Sequence, residues 1–77
     1  MENEIKKELL LKLFEEIKNQ RIKMNLTQEE LAEKCNFDRT YISLLERGKR
    51  NPTYLNLLKL CTALNIDIIF LPKGNKK

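Results

Sequence analysis

The sequence predicts an all-α domain in which two short helices, joined by a tight turn, sit between a long first helix and an apolar last one. Three observations predict it. Capping residues open helices at Thr27, Asp38 and Thr53. In each segment that follows, apolar residues recur at three- and four-residue intervals. The 77-residue chain is 42% hydrophobic and 34% charged with only two glycines and two prolines, the composition of a compact helical protein and not of a disordered one. A chain of this length has room for one domain, residues 1–77, and is marginally stable alone, so oligomerisation is an expected source of stability.

Residues 2–24 carry the first helical pattern. Ile5, Leu9, Leu13 and Ile17 recur every fourth residue with Leu10 and Phe14 beside them, and charged residues occupy the other side. Leu11 falls off this stripe and faces either a second subunit or the rest of the domain. Thr27 and Glu30 then form a capping box, flanked by a staple of Leu26 and Leu31, and open a helix whose apolar positions are Leu31, Ala32 and Cys35. The pattern breaks at Cys35-Asn36-Phe37. Asp38 is a second N-cap, with Phe37 and Ile42 repeating the staple, and this helix stops at Gly48, suited to a left-handed cap. Two short helices with so tight a turn cross steeply, so residues 27–47 read as a helix-turn-helix.

The second helix of the pair sorts its residues by face. Ile42 and Leu45, with Tyr41 beside them, form an apolar stripe; Arg39, Thr40, Ser43 and Arg47 form the opposite one. An idle solvated face more often carries Glu, Lys and Gln, which favour helix. Short hydroxyls flanked by arginines suit close approach to base edges and phosphates. The net charge is +4, but its placement matters more: residues 39–50 hold Arg39, Arg47, Lys49 and Arg50 against Glu46 alone, the electrostatic footprint of phosphate binding. Gly48-Lys49-Arg50-Asn51-Pro52 is a basic loop beside this helix, and Thr53 caps the next one.

Residues 54–64, YLNLLKLCTAL, are apolar on nearly two faces, Leu55, Leu58 and Cys61 on one and Leu57, Leu60 and Leu64 on the other. So small a monomer has too little interior to bury both, and a second copy of the chain is the simplest cover. Residues 53–71 are therefore expected to be a dimerisation region, with Leu57, Leu60, Leu64, Ile66, Ile68, Ile69 and Phe70 at the interface. Ile68-Ile69-Phe70-Leu71 is β-branched and aromatic and is halted by Pro72 too soon for a stable helix, which favours a strand pairing across the dimer over a short fifth helix. Residues 73–77 form a basic tail.

Taken together, TQEELAEK, DRTYISLLERGKRNPT and LLKLCTALNI resemble the lambda-repressor-like, Xre-type helix-turn-helix proteins over about residues 12–67. Within that family DRTYIS followed by ERGKRNPT is most similar to the controller proteins of restriction-modification systems. The resemblance implies four to five helices and a homodimeric transcriptional regulator, repressor or activator, binding double-stranded DNA at a palindromic operator. It places the recognition helix in the major groove, with Arg39, Thr40 and Ser43 facing base edges and Tyr41 and Arg47 by the DNA backbone. It further implies that Arg21, Gln28, Lys49, Arg50 and Asn51 contact the backbone, although Arg21 also reads as a solvated last-turn cation. Relatives dimerise through the region after Thr53. The last segment departs from most of the family and resembles the HipB-like antitoxin repressors, which makes an antitoxin that binds a toxin protein and autoregulates its operon the competing reading.

The chain has no histidine, and Cys35 and Cys61 are isolated at positions where the helical pattern calls for small or aliphatic core residues. Metal sites need clustered ligands and a nucleophilic thiol needs a base, so no metal, cofactor or enzymatic chemistry is expected. No stretch reaches the length of a membrane span and the N-terminus is not a signal peptide, which places the expected protein in the cytoplasm.

Overall fold

The computed structural model describes residues 2–67, with side chains described from Lys7 onward. Four α-helices follow in order, α1 Glu2–Lys23, α2 Gln28–Cys35, α3 Arg39–Glu46 and α4 Tyr54–Ala63. There is no strand among the described residues. The helical pattern expected over residues 2–24 is one continuous helix. Residues 68–77, which include Ile68, Ile69, Phe70 and the basic tail, lie outside the described residues, as does the choice between strand and fifth helix.

The helices begin where side chains satisfy orphan amides. The Thr27 hydroxyl accepts from the Glu30 amide at 3.0 Å and the Glu30 carboxylate accepts from the Thr27 amide at 2.8 Å, completing the capping box. The Thr53 hydroxyl accepts from the Asn56 amide at 3.1 Å. Asp38 occupies the N-cap of α3 with extended backbone, φ −78 and ψ 146, but its side chain makes no capping hydrogen bond. The residue lines the groove beside α3, and its negative charge still favours the helix N-terminus.

All four helices end on a left-handed residue: Asn25 at φ 59, Asn36 at φ 62, Gly48 at φ 71 and Asn65 at φ 57. Each end carries the paired bonds of a Schellman motif. At α3, for example, the Gly48 amide donates to Leu45 at 3.0 Å and the Lys49 amide to Leu44 at 2.8 Å. Only the glycine was legible as such a stop beforehand. The three asparagines tolerate this conformation because their short polar side chains offset part of its cost.

The core is a single cluster of Phe14, Ile17, Leu31, Ala32, Cys35, Ile42, Leu45, Leu60 and Leu64, with Leu26, Phe37, Tyr41, Leu57 and Ile66 packed on its edge. It joins the second half of α1 to the other three helices, and both hydrophobic staples belong to it. Leu9, expected on the buried stripe, is instead 64% exposed, because the first turns of α1 run past the cluster. Leu11 is half-exposed, and its Cδ2 would lie 3.3 Å from a Cβ added at Gly48, so it rests against the turn that closes α3. The Gln20 amide donates to the Leu64 carbonyl at 3.1 Å and fastens the end of α4 to α1.

α4 turns its two apolar stripes the other way round from expectation. Leu60 and Leu64 are fully buried in the core of the isolated protomer and so have no surface to offer a partner, which corrects their assignment to the dimer interface. Leu57 and Ile66 are partly covered by the same core. The outward residues are Tyr54, 59% exposed, and Leu55, 61% exposed, with Leu58 half-buried beside them. Spacing identified two stripes; which of them meets the core depended on the roll of α4, which its own sequence leaves open.

Candidate nucleic-acid interface

Burial fixes how α3 is rolled. Ile42 and Leu45 are each 1% exposed, so the opposite face must point outward. Arg39, Thr40 and Arg47 are exposed there and Ser43 is half-exposed between them. The Arg47 Nε lies 3.4 Å from the Ser43 carbonyl, which holds the side chain along the helix end. Lys49, Arg50 and Asn51 follow on the exposed loop after the Gly48 stop. The basic residues of α3 and of the loop after it are therefore all exposed.

Glu46, the acid within that cluster, is withdrawn from it. Its side chain is 3% exposed, and its carboxylate accepts from the Arg21 Nε at 2.7 Å and Nη2 at 3.1 Å. The Gln28 amide donates to the same carboxylate at 3.0 Å, and the Arg21 Nη1 donates to the Leu26 carbonyl at 2.6 Å. Two of these bonds form a bidentate guanidinium–carboxylate fork, which holds both partners in one geometry. The network ties the end of α1, the loop after it, the first turn of α2 and the end of α3 into one unit. It also cancels the negative charge that Glu46 would bring to the basic face.

This arrangement corrects the reading of Arg21 as a backbone contact. Its guanidinium is spent inside the protein and the residue is 9% exposed, so it supports the face without being part of it. Sequence reasoning missed the pair because 25 residues separate its members and nothing local links them. Gln28 is half-buried with one amide donation committed to Glu46; it sits at the first position of α2, where helix amides attract anions.

A groove runs beside α3, lined by Phe37, Asp38, Thr40, Tyr41, Arg50 and Asn56. Tyr41 is one of the residues that line it. The ring meets Phe37 edge-on, with centroids 4.9 Å apart at 71°, and its hydroxyl accepts from the Asn56 amide at 3.1 Å. Arg50 lies over the same ring, its guanidinium carbon 5.3 Å from the centroid. Tyr41 thus faces the core on one side and the basic loop on the other.

The two cysteines are buried free thiols, and desolvation pushes both pKa values up from the ordinary 9.0. Neither is poised as a nucleophile. Among the described residues no helix is long and apolar enough to cross a membrane.

A short helix seated on the core, a second presenting hydroxyls and arginines outward, and a basic loop beside it define the fold and surface of a helix-turn-helix domain. The helix-turn-helix family profile matches residues 17–71, and the chain belongs to that family. The control protein C.BamHI of Bacillus amyloliquefaciens is 48% identical over 45 residues, covering 58% of this chain and 56% of that protein. The restriction-modification controller protein C.AhdI from Aeromonas hydrophila has the same fold, with a TM-score of 0.72 and 41% identity over 75% of this chain and 88% of that one. The controller protein C.Esp1396I, as a tetramer in complex with its natural 35 base-pair operator, matches with a TM-score of 0.72 and 44% identity over 77% of this chain and 78% of its own. The chain spans 56% to 62% of the length of three curated relatives it matches. These relatives are control proteins and transcriptional regulators, which favours the regulator over the antitoxin.

Proposed function

We propose that the protein is a sequence-specific, DNA-binding transcriptional regulator that works as a homodimer on a palindromic operator, as the controller of a restriction-modification system. The observation that carries this is the roll of α3: burial of Ile42 and Leu45 turns Arg39, Thr40, Ser43 and Arg47 outward together. In the major groove the Arg39 fork would pair with guanine O6 and N7, the Thr40 methyl would meet thymine, and Ser43 would bond a base edge. Gln28, Tyr41, Arg47, Lys49, Arg50 and Asn51 would fix the register on sugar and phosphate.

Two such heads related by a twofold axis read half-sites roughly 34 Å apart. The partner surface is the outward face of α4, Tyr54, Leu55 and Leu58. No enzymatic step and no cofactor is assigned, and a regulator of DNA works in the cytoplasm, where the DNA is. Selection of bound duplexes from a random pool tests the reading, because motif and symmetry emerge together. A twofold-symmetric motif is expected; recovery of unenriched sequence would refute specific recognition. Arg50→Ala should weaken binding to all duplexes alike and make affinity less steeply dependent on salt, and an unchanged salt slope would contradict its phosphate role.

A further inference from the structure

Arg50 stands on an exposed loop, yet its guanidinium is not free to wander. It lies over the Tyr41 ring at 5.3 Å, within the range where a cation is drawn to an aromatic face. That ring is itself held from two directions. Phe37 meets it edge-on from the turn before α3, and the Asn56 amide donates to its hydroxyl at 3.1 Å from the first turn of α4. Asn56 is fixed in turn: it is half-buried, and its backbone amide donates to the Thr53 cap at 3.1 Å. One side-chain bond thus joins the first turn of α3 to the first turn of α4, the two helices that the loop carrying Arg50 connects.

We propose that Asn56 is a positioning residue for DNA binding: through Tyr41 it holds the Arg50 guanidinium in one orientation before DNA arrives. The proposal rests on the DNA-binding reading given above. An arginine side chain gives up rotamer freedom when fixed, and a contact made by a group already ordered avoids much of that loss. The planar guanidinium suits the task, since one face covers the ring while its edge keeps N–H donors for a phosphate fork. Lysine, with no planar face, would keep the charge and lose the stacking.

A double-mutant cycle on duplex binding by the full chain tests this. Asn56→Ala should weaken binding about three- to fivefold in the wild-type background, and should have a much smaller effect in an Arg50→Ala background, where only the contact of Tyr41 itself is left to position. Equal losses in both backgrounds would overturn the proposal, since Asn56 would then act through stability or through its own contact. Asn56→Leu, which fills the same space but cannot donate to the Tyr41 hydroxyl, repeats the cycle should Asn56→Ala fold poorly. The Arg50 Nε–Hε group, assigned by its loss in Arg50→Lys, is followed by NMR in the DNA-free protein. A rigid signal is expected in wild type and a mobile one in Asn56→Ala or Asn56→Leu. Equal mobility throughout would refute the positioning role even if the protein bound no DNA, which separates failure of this proposal from failure of the functional reading.

Discussion

Arg21 and Arg39 are both arginines on helices, and their surroundings give them opposite work. Arg39 is exposed on the outward face of α3, with donors available to a base. Arg39→Ala should relax preference at one operator position at a cost of about 1 to 3 kcal/mol; an unaltered selected motif would remove it from base readout. Arg21 is forked to Glu46 in a nearly dry setting, side chains 11% and 3% exposed. Removing one partner of a buried pair leaves the other uncompensated, so Arg21→Ala should lower unfolding stability by about 3 kcal/mol in urea titrations. Loss of DNA affinity without loss of stability would show that Arg21 faces the DNA after all.

At the scale of elements, helix length here is set by the ends. α2, α3 and α4 are each opened by a capping residue, and all four helices are closed by a left-handed Asn or Gly, so the turn between α2 and α3 is fixed by Asn36 and Asp38 at its two ends. Gly48 is the most demanding of these positions, since any side chain meets both a left-handed backbone and Leu11 at 3.3 Å. Gly48→Ala should cost about 1 to 2 kcal/mol, read as a fall in melting temperature. Asn36→Gly at the equivalent place in α2 should be close to neutral, and a large loss there would mean that the Asn36 side chain does more than tolerate its φ. The same terminus logic explains what was legible in advance: Thr27, Thr53 and Gly48 follow local rules, whereas the asparagine stops resemble ordinary polar residues until the chain is seen to turn.

For the whole molecule, the proposed dimer would divide the work of α4, with Leu60 and Leu64 serving folding and the exposed Tyr54 and Leu55 serving assembly. Leu60 is fully buried, so Leu60→Ala should cost about 2 to 5 kcal/mol of stability through the cavity it leaves. Leu55 is 61% exposed, so Leu55→Glu should leave the melting temperature of the protomer nearly unchanged and shift sedimentation toward monomer, with affinity for a palindromic duplex falling as the dimer is lost. A Leu55→Glu protein that sediments like wild type would move the interface elsewhere. The basic face lies on α3 and the following loop, and the apolar one on α4, with Asn56 and Tyr41 bridging the helices that bear them.

By itself the sequence determined the helices, the caps at Thr27, Asp38, Gly48 and Thr53, the turn at Cys35-Asn36-Phe37 and the outward face of α3. These follow from spacing along one chain segment, and a helix with one apolar stripe has only one face to bury. Only the tertiary structure decided which stripe of α4 is core, that Arg21 serves Glu46, and that Asn56 reaches Tyr41. The physical reason is common to all three: a helix with two apolar stripes, and a charged or polar side chain whose partner lies 15 or 25 residues away, each admit more than one low-energy arrangement until neighbouring elements close around them.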